Sequence, residues 1–302
     1  MRTFRFLLAV VVLIAAGSAF AAEQPRQGEE LLRDAYHRNL AGLASNGFGL
    51  PLVLESFAQD EQVHVDVYGI LAYPLSSVVN ALTVPANWCD IVSLPPNVKA
   101  CTYREMPGAW LLTFYLGRKT YQPPEDAHQV IYHGRIVVQR QGYLDIILSA
   151  DTGPFGTKDH RLRFEAVPLE GGRTFVHVSY AYRDTPALRL AAKGYFATLG
   201  RSKVGFTVTG TDKNGNAVYI GGPRGAIERN AVRYYLAIQS YLNTLRYPAE
   251  SRLSKRISEW YELTSRYPEQ LFDLGRQDYL AFKTKEHENQ VTLQRSIGTG
   301  LR

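Results

Sequence analysis

Seven histidines are the residues of this chain best suited to moving a proton or holding a metal: His37, His64, His128, His133, His160, His177 and His287. A protein metal site draws on several His, Cys or carboxylate ligands, commonly at short spacing. None of the seven has a second His or a Cys at such a spacing. No metal ligand and no cofactor is therefore assigned. The chain also lacks G-x-S-x-G, H-E-x-x-H, a P-loop and G-x-G-x-x-G, the local patterns of nucleophile elbows, zinc peptidases and phosphate cradles. No catalytic residue is assigned either. By strand alternation His64 and His177 fall on wet faces, and the histidines read as surface residues, with a general base among them left open.

The two cysteines, Cys89 and Cys101, take their meaning from the compartment. Residues 1–21 read as a cleaved secretory signal: Arg2 and Arg5, then eleven apolar residues over 6–16, then Ala19-Phe20-Ala21 as the cleavage site. Eleven residues fall short of the roughly 20 that a spanning helix needs. No Cys follows the apolar run, which excludes a lipoprotein anchor. The expectation is a soluble periplasmic protein. An oxidising compartment favours a disulfide between Cys89 and Cys101. In the chain-entropy model a loop of that size contributes roughly 3 kcal/mol. Two free buried thiols are the alternative.

The chain carries 34 Lys and Arg against 28 Asp and Glu, a formal net charge of +6 at pH 7. Residues 183–233 alone hold nine bases and three acids, Asp184, Asp212 and Glu228. Within them 186–199 is amphipathic, with Leu188, Ala192, Tyr195 and Leu199 on one stripe and Arg189 and Lys193 turned to water. One reading is a lid whose Arg189 and Lys193 touch an anionic membrane surface, at about 1 kcal/mol per base. The other is a solvated basic face. Arg224, Glu228, Arg229 and Arg233 read as charge caps at a helix entrance, with a buried anion site as the alternative. Export and the lack of a stacking motif argue against nucleic acid.

The elements that position these residues follow from periodicity. Residues 29–45 repeat Leu31, Leu32, Tyr36, Leu40 and Leu43 at helical spacing. Strands are expected over 50–57 and 63–73, short helices over 75–82 and 85–94, then strands over 110–116, 130–138, 143–150, 161–167 and 174–182. Their alternation is that of half-buried antiparallel strands. In the second of these five, Val130, Tyr132, Ile136 and Val138 are placed on one side. A helical stretch over 186–199 and a hairpin at Asn214-Gly215 come next. Residues 226–245 form the clearest helix, with a stripe of Ile227, Ala231, Tyr234, Tyr235, Ile238, Leu242 and Leu245. Helices at 251–266 and from Pro268 follow. The composition, 45% hydrophobic and 21% charged, is that of a globular chain.

From residue 63 to 245 the order is strand, two short helices, a run of antiparallel strands and one long helix. It resembles the helix-grip fold of the START/Bet v 1-like superfamily (SRPBCC). Trp88-Cys89-Asp90, Gly153-Pro154-Phe155-Gly156-Thr157 and Arg224-Gly225-Ala226-Ile227-Glu228-Arg229-Asn230 look like motifs of an exported proteobacterial group within it. The resemblance implies an α+β fold in which a curved antiparallel sheet wraps the long helix around an apolar cavity. Two departures are a helix and hairpin inserted before that helix, and further helices after it. The expected organisation is a signal over 1–21, an N-terminal helix and lead-in strand over 22–57, the helix-grip domain over 58–247, a helical extension over 248–285 and a disordered tail over 286–302.

If the sheet grips the helix, Leu112, Phe114, Tyr132, Ile146, Phe164, Val178 and Tyr180 face Tyr234, Tyr235 and Ile238. Such a surface suits a hydrophobic small molecule or lipid, oriented by a few phenols. A filled core needs the same residues. The leading expectation is a periplasmic binding or carrier protein. The alternatives are an envelope structural or interaction protein with a closed core, its protein partners unassigned, and a cyclase- or hydrolase-like enzyme on the same fold.

Overall fold

The computed structural model describes residues 28–59, 61–186, 189, 190, 192, 194, 198 and 203–299. The expected signal, Lys193 and much of 186–199 lie outside the described residues. One eight-stranded sheet dominates, in the order β1-β2-β8-β7-β6-β5-β4-β3 with every neighbour antiparallel. Its strands are β1 (Leu52–Gln59), β2 (Gln62–Leu71), β3 (Val98–Met106), β4 (Ala109–Leu116), β5 (His128–Arg140), β6 (Tyr143–Thr152), β7 (Lys158–Leu169) and β8 (Arg173–Arg183). A separate hairpin, β9 (Val208–Thr211) and β10 (Ala217–Tyr219), stands at the expected Asn214-Gly215 turn.

The sheet is sandwiched unequally. On its inner face lies α4 (Gly222–Thr244), packed against β2, β1 and β8. The short helices α2 (Leu75–Leu82) and α3 (Pro85–Val92) share that layer, and α5 (Ala249–Thr264) packs behind α4. Val65, Leu112, Ile146 and Phe164 of the sheet and Leu236 and Ala237 of α4 are 0% exposed. This is the helix-grip arrangement. On the outer face α1 (Gly28–Ala44) covers a second, smaller core of Leu32, Ala35, Leu43, Tyr143, Val167 and Phe175.

Three sequence expectations change. β3 was not read as a strand, because its inner end (Val98 to Thr102) is buried on both faces and shows no alternation. Val138 joins the outer cluster, not the inner one, because a bulge between Ile136 and Val138 reverses the alternation. The tail expected to be disordered is helix over 286–299: after α6 (Pro268–Leu271), α7 runs Arg276–Thr299.

Polar burial explains why α7 forms. Lys99 and Lys283 share Glu286, each ammonium 2.7 Å from one carboxylate oxygen. All three side chains are under 5% exposed. The remaining donors reach carbonyls: Lys99 donates to Pro96 and Thr120, Lys283 to Pro95 and Val98. A turn further on, Gln290 Oε1 accepts the Cys101 N–H at 2.8 Å. Gln294 accepts the Tyr103 N–H at 2.8 Å and donates to its carbonyl at 3.0 Å. Two glutamines thus pair with β3 where another strand would. Cys89 and Cys101 are bonded, tying α3 to β3.

Candidate functional site

The inner face divides into a sealed part and an open part. Leu112, Ile146 and Phe164 have no accessible surface, and Phe114, Val178, Tyr235 and Ile238 keep 7% or less. A side chain bordering a water-sized space would retain surface, so these residues are packing. Toward the end of the grip where β8 runs out, Tyr180, Tyr182, Leu162 and Tyr234 are only half-buried, although all face inward. Of the ten residues expected to line a cavity, Tyr180 and Tyr234 alone border open space, with Tyr132 beside them.

A chain of hydrogen bonds leads from that space into the sheet. The Tyr132 phenol neighbours that of Tyr180. Tyr180 Oη lies 2.7 Å from His160 Nδ1, and His160 Nε2 lies 2.8 Å from Thr157 Oγ1. Thr157 donates to the Pro154 carbonyl at 2.7 Å. Its hydroxyl proton being committed there, His160 Nε2–H is the donor to Thr157, and Nδ1 accepts from Tyr180. Burial pushes His160 down to about 4, against the opposing charge of Asp159, so the imidazole is neutral at pH 7. The Tyr182 ring stacks on it, centroids 5.4 Å apart. Gly153 permits the arrangement, since a Cβ there would lie 2.1 Å from His160 Nε2. The Gly153–Thr157 motif is therefore the seat of this histidine, which is 4% exposed and not a surface residue.

Tyr182 and Tyr234 complete the site. Among the described residues neither hydroxyl makes a hydrogen bond. Burial raises Tyr132 to about 12 and pushes Tyr180, Tyr182 and Tyr234 up as well. Every polar group of the cluster is thus neutral.

The helix entrance above the site is latched by a carboxylate. Glu228, 0% exposed, accepts from Ser56 Oγ at 2.5 Å, from the Phe206 and Thr207 N–H groups at 2.6 and 3.0 Å, and from Thr207 Oγ1 at 2.7 Å. Arg229 donates to the Val204 carbonyl and Arg224 to Ser56. Gly225 lets the backbones meet, since a Cβ there would stand 2.7 Å from the Ile220 carbonyl. The buried anion at this helix start is the protein's own. Arg189, expected at a membrane, pairs with Glu61 at 3.5 Å.

The outer face holds a second cluster. His177 Nε2 lies 2.7 Å from Asp66, and its Nδ1 lies 3.0 Å from Glu165. His64 bonds the other Asp66 oxygen at 2.8 Å. Tyr143 donates to Glu165 at 2.5 Å, and Arg163 grips Asp145 through two nitrogens at 3.0 and 2.8 Å. Burial alone would lower His177; hydrogen bonds and charge from Asp66 and Glu165 outweigh it and raise the ring to about 9. Asp66 is held well below the usual carboxylate range, burial being outweighed by the two histidines. Among the described residues no three of these groups converge as metal ligands. Alternation places His64 and His177 on this face, but only the strand register reveals their partners.

No protein-family model matches the chain, and no curated protein matches it. Among solved structures it is similar to a fragment of the STAR-related lipid transfer protein from Xanthomonas axonopodis, with 12% identity, TM-score 0.38, and 64% of this chain covering 93% of that one. It is also similar to human StAR-related lipid transfer protein 5, with 8% identity, TM-score 0.35, and 72% of this chain covering 98% of that one. A third is Ara h 8.0201, with 10% identity, TM-score 0.35, and 64% of this chain covering 99% of that one.

Proposed function

We propose that this is an exported, periplasmic binding or carrier protein for a hydrophobic ligand carrying a neutral hydrogen-bonding group. The observation that supports it is the open end of the grip. Two phenols, Tyr182 and Tyr234, stand there without a hydrogen-bond partner among the described residues, beside Tyr132, the Tyr180-His160 pair and an apolar wall including Leu162. A ligand oxygen that replaces water on such a half-buried hydroxyl contributes about 1 kcal/mol. The cluster holds no cation, so a carboxylate or phosphate headgroup placed there would be desolvated without compensation. A hydroxyl or carbonyl group carries no such cost.

The test is native mass spectrometry of gently purified protein, followed by solvent extraction of the bound molecule. A discrete apolar adduct is expected, reduced in Tyr182→Phe/Tyr234→Phe protein that melts normally. Protein that carries no adduct, and takes none up from a bacterial lipid extract, would overturn the reading in favour of a closed-core envelope protein.

A further inference from the structure

The outer face carries a row of residues that runs straight across all eight strands. Register places Arg104 opposite Leu111, Leu111 opposite His133, His133 opposite Ser149 and Ser149 opposite Arg161. It continues from Arg161 to Ala181, from Ala181 to His64 and from His64 to Phe57. Basic residues therefore occupy every second strand, β3, β5, β7 and β2, separated by Leu111, Ser149 and Ala181. Neighbouring strands lie about 4.8 Å apart, which spaces the basic positions by roughly 10 Å.

The row is uncovered over most of its length. α1 packs mainly on β1, β2 and β7 and reaches Tyr143 of β6 and Phe175 of β8, away from the row. Arg104, His133, Ser149 and Arg161 are exposed, as is Arg135 one step along β5. The row contains no acid. Of the carboxylates flanking it, Asp145, Glu165 and Asp66 are engaged by Arg163, His177 and His64, and Asp151 and Glu55 stand exposed beside it. Arg104, Arg135 and Arg161 are left with no ion pair among the described residues. Arginine presents a planar fork suited to carboxylates, whereas a lysine would act as a point charge. Leu111 and Ile147 lie flush between them, neither of them exposed, and the protruding apolar side chains of this face, Phe57 on β1 and Ile131 on β5, stand strands apart and form no patch for a bilayer.

We infer that this row is a docking surface for an extended acidic polypeptide segment. A polyproline II chain advances about 3.1 Å per residue with three residues per turn, so every third side chain points the same way about 9.3 Å apart. That repeat matches the basic positions of the row. The site is independent of the ligand space inside the grip.

Two labelled peptides of one composition test it: Glu-Pro-Pro repeated four times, and a block of four Glu followed by eight Pro. Fluorescence anisotropy at low salt should show the spaced peptide binding about five-fold or more tighter. Raising ionic strength to about 0.15 M should weaken it, as screening of exposed charges requires. Arg104→Gln/Arg161→Gln should cost about tenfold in affinity, two exposed pairs being lost, with an unchanged melting temperature. Equal affinity for the two peptides, or an unaffected double variant, overturns the inference. So does binding to phosphatidylglycerol vesicles with none to the spaced peptide, which assigns the row to a membrane.

Discussion

Two histidines on neighbouring strands, His160 of β7 and His177 of β8, are displaced in opposite directions, to about 4 and to about 9. His160 is buried and His177 half-buried, and burial alone lowers an imidazole. The difference lies in the company each face provides. Inward, His160 meets phenols and a threonine, neutral groups that hold one tautomer without favouring a charge. Outward, His177 stands between two carboxylates, which repay the desolvation of a cation. The inner face is thus arranged around neutral donors and acceptors, and the outer face around fixed charge. An uncharged ligand suits the first and a charged partner suits the second.

The largest expected contrast is in packing. Phe164→Ala on the inner face should destabilise by about 3–5 kcal/mol, the usual cost of emptying a sealed aromatic site. Ile131→Ala on the outer face, where Ile131 is 52% exposed, should change stability by less than about 0.5 kcal/mol. Urea denaturation of both variants decides this, and similar losses would mean the faces are not so divided.

The next contrast is alkaline. The His177 pKa is raised on folding, so its stabilisation is complete below the unfolded value near 6.5 and disappears as pH rises through about 9. The stake is on the order of 3 kcal/mol. Unfolding free energy should fall across that window in the wild type and stay flat in His177→Gln. A wild type without such a slope would show the carboxylate bracket to be inert.

His160 supplies the acid limb. Its folded pKa is depressed, so the unfolded state takes up a proton first as pH falls below about 6.5. Stability should then decline by on the order of 3 kcal/mol down to about pH 4. Asp66 and Glu165 are also depressed and lose their contribution only at more acidic pH. His160→Gln should flatten the region between 6.5 and 4 and leave the alkaline limb intact. If that variant keeps the wild-type acid slope, the histidine is not its source.

The smallest effect concerns a single hydroxyl. Tyr180→Phe removes the donor to His160 Nδ1, at about 1 kcal/mol. It should also move the imidazole titration upward, because the bond favours the neutral ring. Proton NMR of the ring resonances reads this directly, and an unmoved titration would mean that Tyr180 does not hold the tautomer.

How much of this was legible beforehand depends on what kind of burial each residue enjoys. Alternation located the inner faces of β4 to β8, and the helical stripe located α4, because apolar burial leaves a periodic trace. His160 had a trace too: it precedes Leu162 by two and so shares the face of Leu162, Phe164 and Ala166. What could not be seen were contacts made by register between distant strands, such as Asp66, His177 and Glu165. Nor could the second half of α7 be read, whose key inward groups are Glu286, Gln290 and Gln294. A polar residue that is buried because one specific partner awaits it has the composition of a solvated one. The third case is Val138, where a single extra residue in β5 inverted a correct alternation.

The glutamines of α7 have a consequence for assembly. A sheet ends in a row of unpaired amides and carbonyls that invites another chain to add a strand, the ordinary route to fibrous aggregation. Gln290 and Gln294 occupy that row at Cys101 and Tyr103. A protein cut after residue 275 would keep its eight strands and its gripped helix, yet expose β3 to solvent along a flat, partly apolar border. Its failure in a cell would be one of solubility, with chains joining edge to edge before any loss of the fold itself.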